Sequence, residues 1–186
     1  MSPPTRNDVM TDNKHENGDF IDAHAAARAR IPEGVKRSVV HATFSLERTY
    51  DASVTRVWKA LTLPEAKAQW FGAPPEELEV LESNMDVRPG GRERLKGRWV
   101  SNVVSTFDAT YYDVIENERL VYCYEMHLDD HKISVSIATL QLQAVGKKTR
   151  LMLTEQGAFL DGYDDAGSRE HGTNELFDKL GTVLSQ

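Results

Sequence analysis

The run His127-Leu128-Asp129-Asp130-His131 packs two imidazoles and two carboxylates into five residues, side-chain types that hold zinc. On a helix, histidines four apart would share a face. Here the flanking residues alternate as strands do, so Asp129-Asp130 reads as a hairpin tip and the segment as a solvated turn. Asp161-Gly162-Tyr163-Asp164-Asp165-Ala166-Gly167 starts like a calcium loop. Its third position is Tyr163, its sixth is not glycine, and its twelfth is Gly172 where a bidentate glutamate belongs, so the pattern fails. Pro89-Gly90-Gly91 lacks the spacing and the lysine of a nucleotide-cradling loop and reads as a tight turn. No serine occupies a nucleophile elbow, and no Ser/His/Asp or Cys/His arrangement stands out. The single cysteine, Cys123, lies in an apolar strand pattern and reads as a small buried hydrophobe.

What remains is a set of polar and aromatic side chains suited to the wall of a ligand cavity: Trp70, Arg88, Arg92, Arg94, Trp99, Tyr111, Tyr112, Tyr122, Glu125, Glu155 and His171. All but Arg94, Trp99 and Glu155 are carried forward as the expected cavity site, joined by Phe177 from the last helix. Each also has a plain structural explanation. Arginines on an edge strand guard against aggregation, and tyrosines on a sheet pack into the core with a bonded hydroxyl. His171 is the group that would titrate at the cavity mouth. No catalytic residue, metal ligand or cofactor site is assigned.

These residues need elements to hold them. Ser53 suits a helix N-cap, and Val54, Val57, Trp58 and Leu61 follow at the spacing of one buried helical face. Pro64 ends that helix and opens a short second one, closed by Gly72 after Trp70-Phe71. A strand precedes this unit from Ser38. Alternating runs over 78–82, 91–100, 105–115, 119–128, 132–143 and 149–156, joined by short turns, predict an antiparallel meander. Asp161 to Gly167 reads as a polar loop. Glu175, Leu176, Phe177, Leu180, Val183 and Leu184 then form the apolar stripe of a C-terminal helix. Periodicity alone yields an antiparallel sheet with flanking helices.

Several of these stretches carry a resemblance. Asp51-Ala52, Val57-Trp58-Lys59-Ala60-Leu61-Thr62, Pro64-Glu65 and Gln69-Trp70-Phe71-Gly72 resemble the opening signature of the activator-of-heat-shock-ATPase homologue family. Arg88-Pro89-Gly90-Gly91 resembles its Arg-x-Gly-Gly turn, Glu118-Arg119-Leu120 its Glu-Arg-Leu strand start, and Thr149-Arg150-Leu151 its late strand. The likeness runs over residues 40 to 184. It implies an α+β helix-grip fold of the START-like kind: a curved antiparallel sheet around a long C-terminal helix, two short helices after the first strand, and an apolar cavity. That superfamily hosts binders, enzymes and co-chaperones, so fold does not decide function. The leading expectation is a non-catalytic protein that binds a small hydrophobic or aromatic molecule. A cyclase- or dehydratase-type enzyme, with Glu125, Tyr112 or His171 in acid–base work, and a co-chaperone module acting on a heat-shock ATPase both stay open. So does a homodimer.

Length and charge bound the rest. The 186 residues suit one domain, 37–186, preceded by an extension over 1–36 that is polar and aperiodic to Gly18 and alanine-rich over 20–30, where a short helix is predicted. A net charge of -7 argues against nucleic acid and anionic lipid as partners. No apolar stretch is long enough to insert in a membrane. The N-terminus lacks the apolar core of a secretion signal and one cysteine forms no internal disulfide, which together point to the cytoplasm. With no ligand set in the sequence, stripping divalent metal with a chelator is expected to leave the melting temperature unchanged; a fall of several degrees, restored by zinc or calcium, would contradict this.

Overall fold

The computed structural model describes residues 37–186. The predicted helix over 20–30 and the expected flexibility of 1–36 lie outside the described residues. Seven strands form one antiparallel sheet: β1 (Val39–Tyr50), β2 (Leu78–Met85), β3 (Arg92–Trp99), β4 (Val104–Ile115), β5 (Arg119–Leu128), β6 (His131–Val145) and β7 (Lys148–Leu160), in the spatial order β1-β7-β6-β5-β4-β3-β2. Two short helices, α1 (Val54–Thr62) and α2 (Pro64–Lys67), follow β1, and α3 (Ala166–Leu184) ends the chain. This is the α+β helix-grip architecture.

Local chemistry explains the helical elements. Ser53 Oγ accepts from the Arg56 N–H (3.3 Å), and Val57, Trp58, Ala60 and Leu61 form the buried face of α1. Pro64 occupies the first turn of α2, where its missing N–H has no intrahelical partner to lose. Trp70 is then locked from two sides: its ring is buried and its Nε1–H donates to the Ala60 carbonyl at the end of α1 (2.9 Å).

α3 begins at Ala166, nine residues before the stripe that marked it in the sequence. Asp165 caps it, its carboxylate accepting from the Ser168 N–H (3.0 Å) and from the Ser168 hydroxyl (2.9 Å). The polar loop read over 161–167 is therefore shorter. Asp161, its first residue, accepts from the Ser38 N–H (2.8 Å) and pairs with Arg37 (2.6 Å). The Ser38 donation, then Arg37, hold its pKa below the usual carboxylate value.

Along α3 the inward stripe changes character. Leu176, Phe177, Leu180 and Leu184 fill the C-terminal half and join the main core with Phe44, Leu46, Tyr50 and Leu153. Toward the N-terminal half the inward positions are Arg169, Gly172 and Thr173. Facing them, the sheet offers Ser134, Ser136, Ala138 and Gly157. The cavity lies beside them, where this half of the helix faces Leu95, Phe107, Tyr122 and Tyr124 of β3, β4 and β5.

The turn between β2 and β3 holds the far wall. The Gly90 N–H donates to the Tyr111 carbonyl (2.8 Å) and the Tyr111 N–H to the Gly91 carbonyl (2.9 Å), so the turn extends the ladder beside β4. Gly90 has φ +79° and nothing near its missing side chain, whereas a Cβ on Gly91 would stand 2.1 Å from the Asp86 carbonyl oxygen. Two glycines are needed for two reasons. Gly90→Ala is expected to cost roughly 1–2 kcal/mol, from the left-handed backbone alone. Gly91→Ala is expected to cost about 3 kcal/mol, because backbone must move. Chemical denaturation of both variants checks the order, and equal costs would refute the account.

Candidate functional site

The cavity has a volume of about 490 Å³ and lies between the concave sheet and α3, bordered also by the segment after α2, whose Gly72 carbonyl accepts from Lys179 of α3 (3.0 Å). Its wall is largely aromatic. Phe107, at the centre of β4, meets Phe71 edge-on (5.2 Å between centroids), Tyr124 at 5.0 Å and Tyr122 at 6.3 Å, while Tyr111 meets Tyr122 at 5.6 Å. Edge-to-face pairs of this kind fix ring orientation as well as burying area. Trp99 closes one end, its Nε1–H donating to Ser105 Oγ (2.9 Å).

Two buried ionic clusters interrupt the aromatic wall. In the first, Lys67 Nζ donates to Glu93 Oε2 (2.7 Å), and the Tyr111 hydroxyl makes a very short bond to the same oxygen. Lys67 and Glu93 are only 8% and 5% exposed. The ammonium also lies 4.4 Å from the Phe71 ring centroid, within cation–π reach. In the second, Arg169 reaches down from α3. Its Nη1 donates to the Tyr124 hydroxyl (2.7 Å) and, more weakly, to Glu155 Oε1 (3.4 Å); its Nη2 donates to Ser134 Oγ (2.8 Å) and to Asp164. The Tyr124 hydroxyl in turn donates a hydrogen bond to Glu155 Oε1 (2.5 Å), so a chain runs Arg169, Tyr124, Glu155. Burial works against the Arg169 cation, but Tyr124, Asp164 and Glu155 more than offset it and raise its pKa above the ordinary arginine value.

Strand parity decides which predicted residues reach this space. The structure places Trp70, Tyr111, Tyr122 and Phe177 on the cavity wall. It places Arg88, Arg92, Tyr112, Glu125 and His171 elsewhere. Arg92 alternates with inward Glu93 and points out from β3 to Asp108 (2.8 Å). Tyr112 follows inward Tyr111 at a bulge in β4 and is 63% exposed. Glu125 follows inward Tyr124, so it lies on the convex face, paired with Lys132 (2.7 Å). Arg88 sits in the turn beside Asp86 (2.8 Å), and His171 lies on the solvent side of α3 near Glu175 (3.5 Å). The three groups considered for acid–base work, Glu125, Tyr112 and His171, are thus all outside the cavity.

Of the three residues set aside, Arg94 points outward to Asp108 (3.1 Å), while Trp99 and Glu155 line the cavity. Lys67, Phe107, Tyr124 and Arg169 also line it and were not anticipated. Tyr124 had a readable signal, since it shares the parity of Tyr122 on β5. Arg169 and Lys67 had none: a buried cation is specified by partners distant in the chain. His127 stands 3.7 Å from Glu125, and the His131 ring packs at 5.1 Å on Tyr163. Among the described residues no three His, Cys, Asp or Glu side chains gather as metal ligands would. No described helix is long and apolar enough to cross a membrane.

Burial raises the pKa of Tyr50, Tyr111, Tyr122 and Tyr124, with Glu93 adding to the shift at Tyr111 and Arg169 opposing it at Tyr124. The sign follows from linkage. A phenol whose folded pKa exceeds its unfolded value of about 10 stabilises fully below that value, and the contribution is lost as pH rises toward the folded pKa. Stability is expected to fall progressively above about pH 10, the tyrosinate absorbance of these four rings rising together with unfolding. Ionisation of all four in a fully folded protein at that pH would disprove the linkage. Separately, Lys67→Met leaves Glu93 buried without its cation and is expected to cost about 3–5 kcal/mol in denaturation.

Comparison with known proteins agrees with this architecture. A protein of Rhizobium leguminosarum has a solved structure with 40% identity and TM-score 0.76, covering 81% of this chain and 98% of its own. A Rhizobium loti protein shows 36% identity and TM-score 0.71, covering 79% and 99%. CalU16 from Micromonospora echinospora, at 21% identity and TM-score 0.54 over 82% and 87%, shares the fold. No curated protein matches the chain. Residues 51–185 match the family described as Activator of Hsp90 ATPase homolog 1-like protein, and the chain belongs to that family.

Proposed function

We propose that this protein binds a small hydrophobic or aromatic molecule in the cavity beneath α3, without transforming it. The observation that carries this reading is the cavity itself: about 490 Å³ of space walled by Trp70, Phe71, Phe107, Tyr122 and Phe177. That volume falls within the usual range for small-molecule sites, roughly 300–1,000 Å³, which are mostly apolar with few polar groups. Leaving such a space inside a small domain carries a cost, since cavities forfeit dispersion contacts along their lining. A bound apolar ligand restores those contacts. The residues considered for acid–base chemistry lie on other surfaces, which favours binding over catalysis.

Phe177 and Leu184 separate cavity from core. Both are buried on α3, but only Phe177 borders the cavity. Phe177→Ala is expected to cost about 3–5 kcal/mol and to alter the affinity of an apolar probe dye, whereas Leu184→Ala, costing about 2–5 kcal/mol, is expected to leave dye binding nearly unchanged. Thermal melts and dye titrations on both variants read the result. Unchanged dye affinity in Phe177→Ala would overturn the cavity as the site. Native mass spectrometry of the purified protein gives a second readout, because a retained ligand appears as added mass.

A further inference from the structure

We propose that the cavity selects aromatic molecules carrying a hydrogen-bond donor, an ammonium or a hydroxyl, and rejects carboxylates, with Glu155 as the acceptor. This rests on the binding function proposed above and names the chemical class of ligand.

The argument is one of unspent bonding capacity. An aromatic cavity containing an arginine and a lysine suggests at first a site for an organic acid. Both cations are already paired with carboxylates. Each Nη of Arg169 donates to two partners, Tyr124 with Glu155 and Ser134 with Asp164. Lys67 is bonded to Glu93 and packs its ammonium against the rings of Phe71 and Phe107, 4.4 and 5.8 Å from their centroids. A ligand carboxylate received by either cation would lie against the carboxylates already paired with it, Glu93 at Lys67 and Glu155 with Asp164 at Arg169, and like charges repel.

Glu155 differs. It lines the cavity, is 3% exposed, and takes both of its donors, Tyr124 and Arg169, on Oε1. Among the described residues no donor reaches Oε2. An ionised carboxylate offers about four acceptor positions, so this one can take a further bond without losing those it has. Tyr124 and Arg169 hold it in place, and a pre-oriented acceptor loses little freedom on binding.

Charge points the same way. Arg169 faces two carboxylates, Glu155 and Asp164, while Lys67 is balanced by Glu93. Of the other charged lining residues, Glu77, Glu175 and Asp178 outnumber Lys179, with Arg48 beside Asp178 (3.5 Å). The charge around the cavity is therefore net negative. It draws in an ammonium and opposes an anion. The flanking rings of Tyr122, Tyr124 and Phe107 receive the aromatic body, and a cation lying against them gains further.

The test uses the full-length protein and four probes that share one ring system: naphthalene, naphthol, naphthylmethylamine and naphthoate, titrated at neutral pH by calorimetry or tyrosine and tryptophan fluorescence. The amine and the phenol are expected to bind about tenfold or more tighter than naphthalene, the scale of a hydrogen bond to a charged acceptor, and naphthoate is expected to bind weakest. In Glu155→Gln the ratio of amine to naphthalene affinity should fall by about tenfold, and an unchanged ratio would overturn Glu155 as the acceptor. Asp164 still balances Arg169 in that variant, and a thermal melt verifies its fold. Binding of naphthalene together with equal or tighter binding of naphthoate would overturn the proposed selectivity while leaving the cavity-binding function standing. Failure of all four to bind would instead remove that function. The wild-type series decides the matter even if the variant does not fold.

Discussion

One helix has to cover the concave face of seven strands, and this mismatch of areas shapes the molecule. α3 closes the concave face at Leu180 and Leu184, while Leu176 and Phe177 one turn earlier border the cavity. Toward its N-terminus the inward residues are Arg169, Gly172 and Thr173, which do not reach Leu95, Phe107 and Tyr122 on the far strands β3, β4 and β5. A hydrophobic core fills to near-crystalline density wherever side chains permit. The cavity is what remains when they do not.

The two ionic clusters hold this incomplete packing open. Burying a charge is costly unless it is paired and hydrogen-bonded, and each cation here is both. Arg169 ties α3 to β5, β6 and the loop before the helix through Tyr124, Ser134 and Asp164. Lys67 ties α2 to β3 through Glu93, and Tyr111 brings in β4. Because directional bonds join the elements across the gap, α3 does not settle onto the sheet and erase it. The same bonds pair both cations with carboxylates, and Glu155 takes its donors on one oxygen only.

Membership of the Activator of Hsp90 ATPase homolog 1-like family accounts for the scaffold over residues 51–185, which include the first helical pair and the glycine turn. These segments do structural work that is independent of any ligand. Ser53 caps α1, Trp70 locks against it, and Gly90-Gly91 pin the backbone of Tyr111. They set the frame of the cavity, and Lys67 of α2 joins side chains on β3, β4, β5, β7 and α3 in its chemistry. A shared scaffold with separately specified contents is how one fold serves many functions.

Short-range patterns in the sequence determined the elements: the capped α1, the proline-started α2, the alternating strands and the apolar half of α3 were all legible. So was the relative parity within each strand; on β5 it already separates Tyr122 from Glu125, and on β4 Tyr111 from Tyr112. Which parity faces the cavity on an arginine-rich strand such as β3 was decided by pairing across the sheet, since Arg92 finds Asp108 and Glu93 finds Lys67 only in the folded chain. The first half of α3 left no apolar stripe, because its inward side borders a cavity and a buried guanidinium. The identity of the site likewise depended on tertiary structure. Arg169 is 45 residues from Tyr124 and Lys67 is 26 from Glu93. Charges that distant in the chain become a neutralised wall only when the fold brings them within bonding distance.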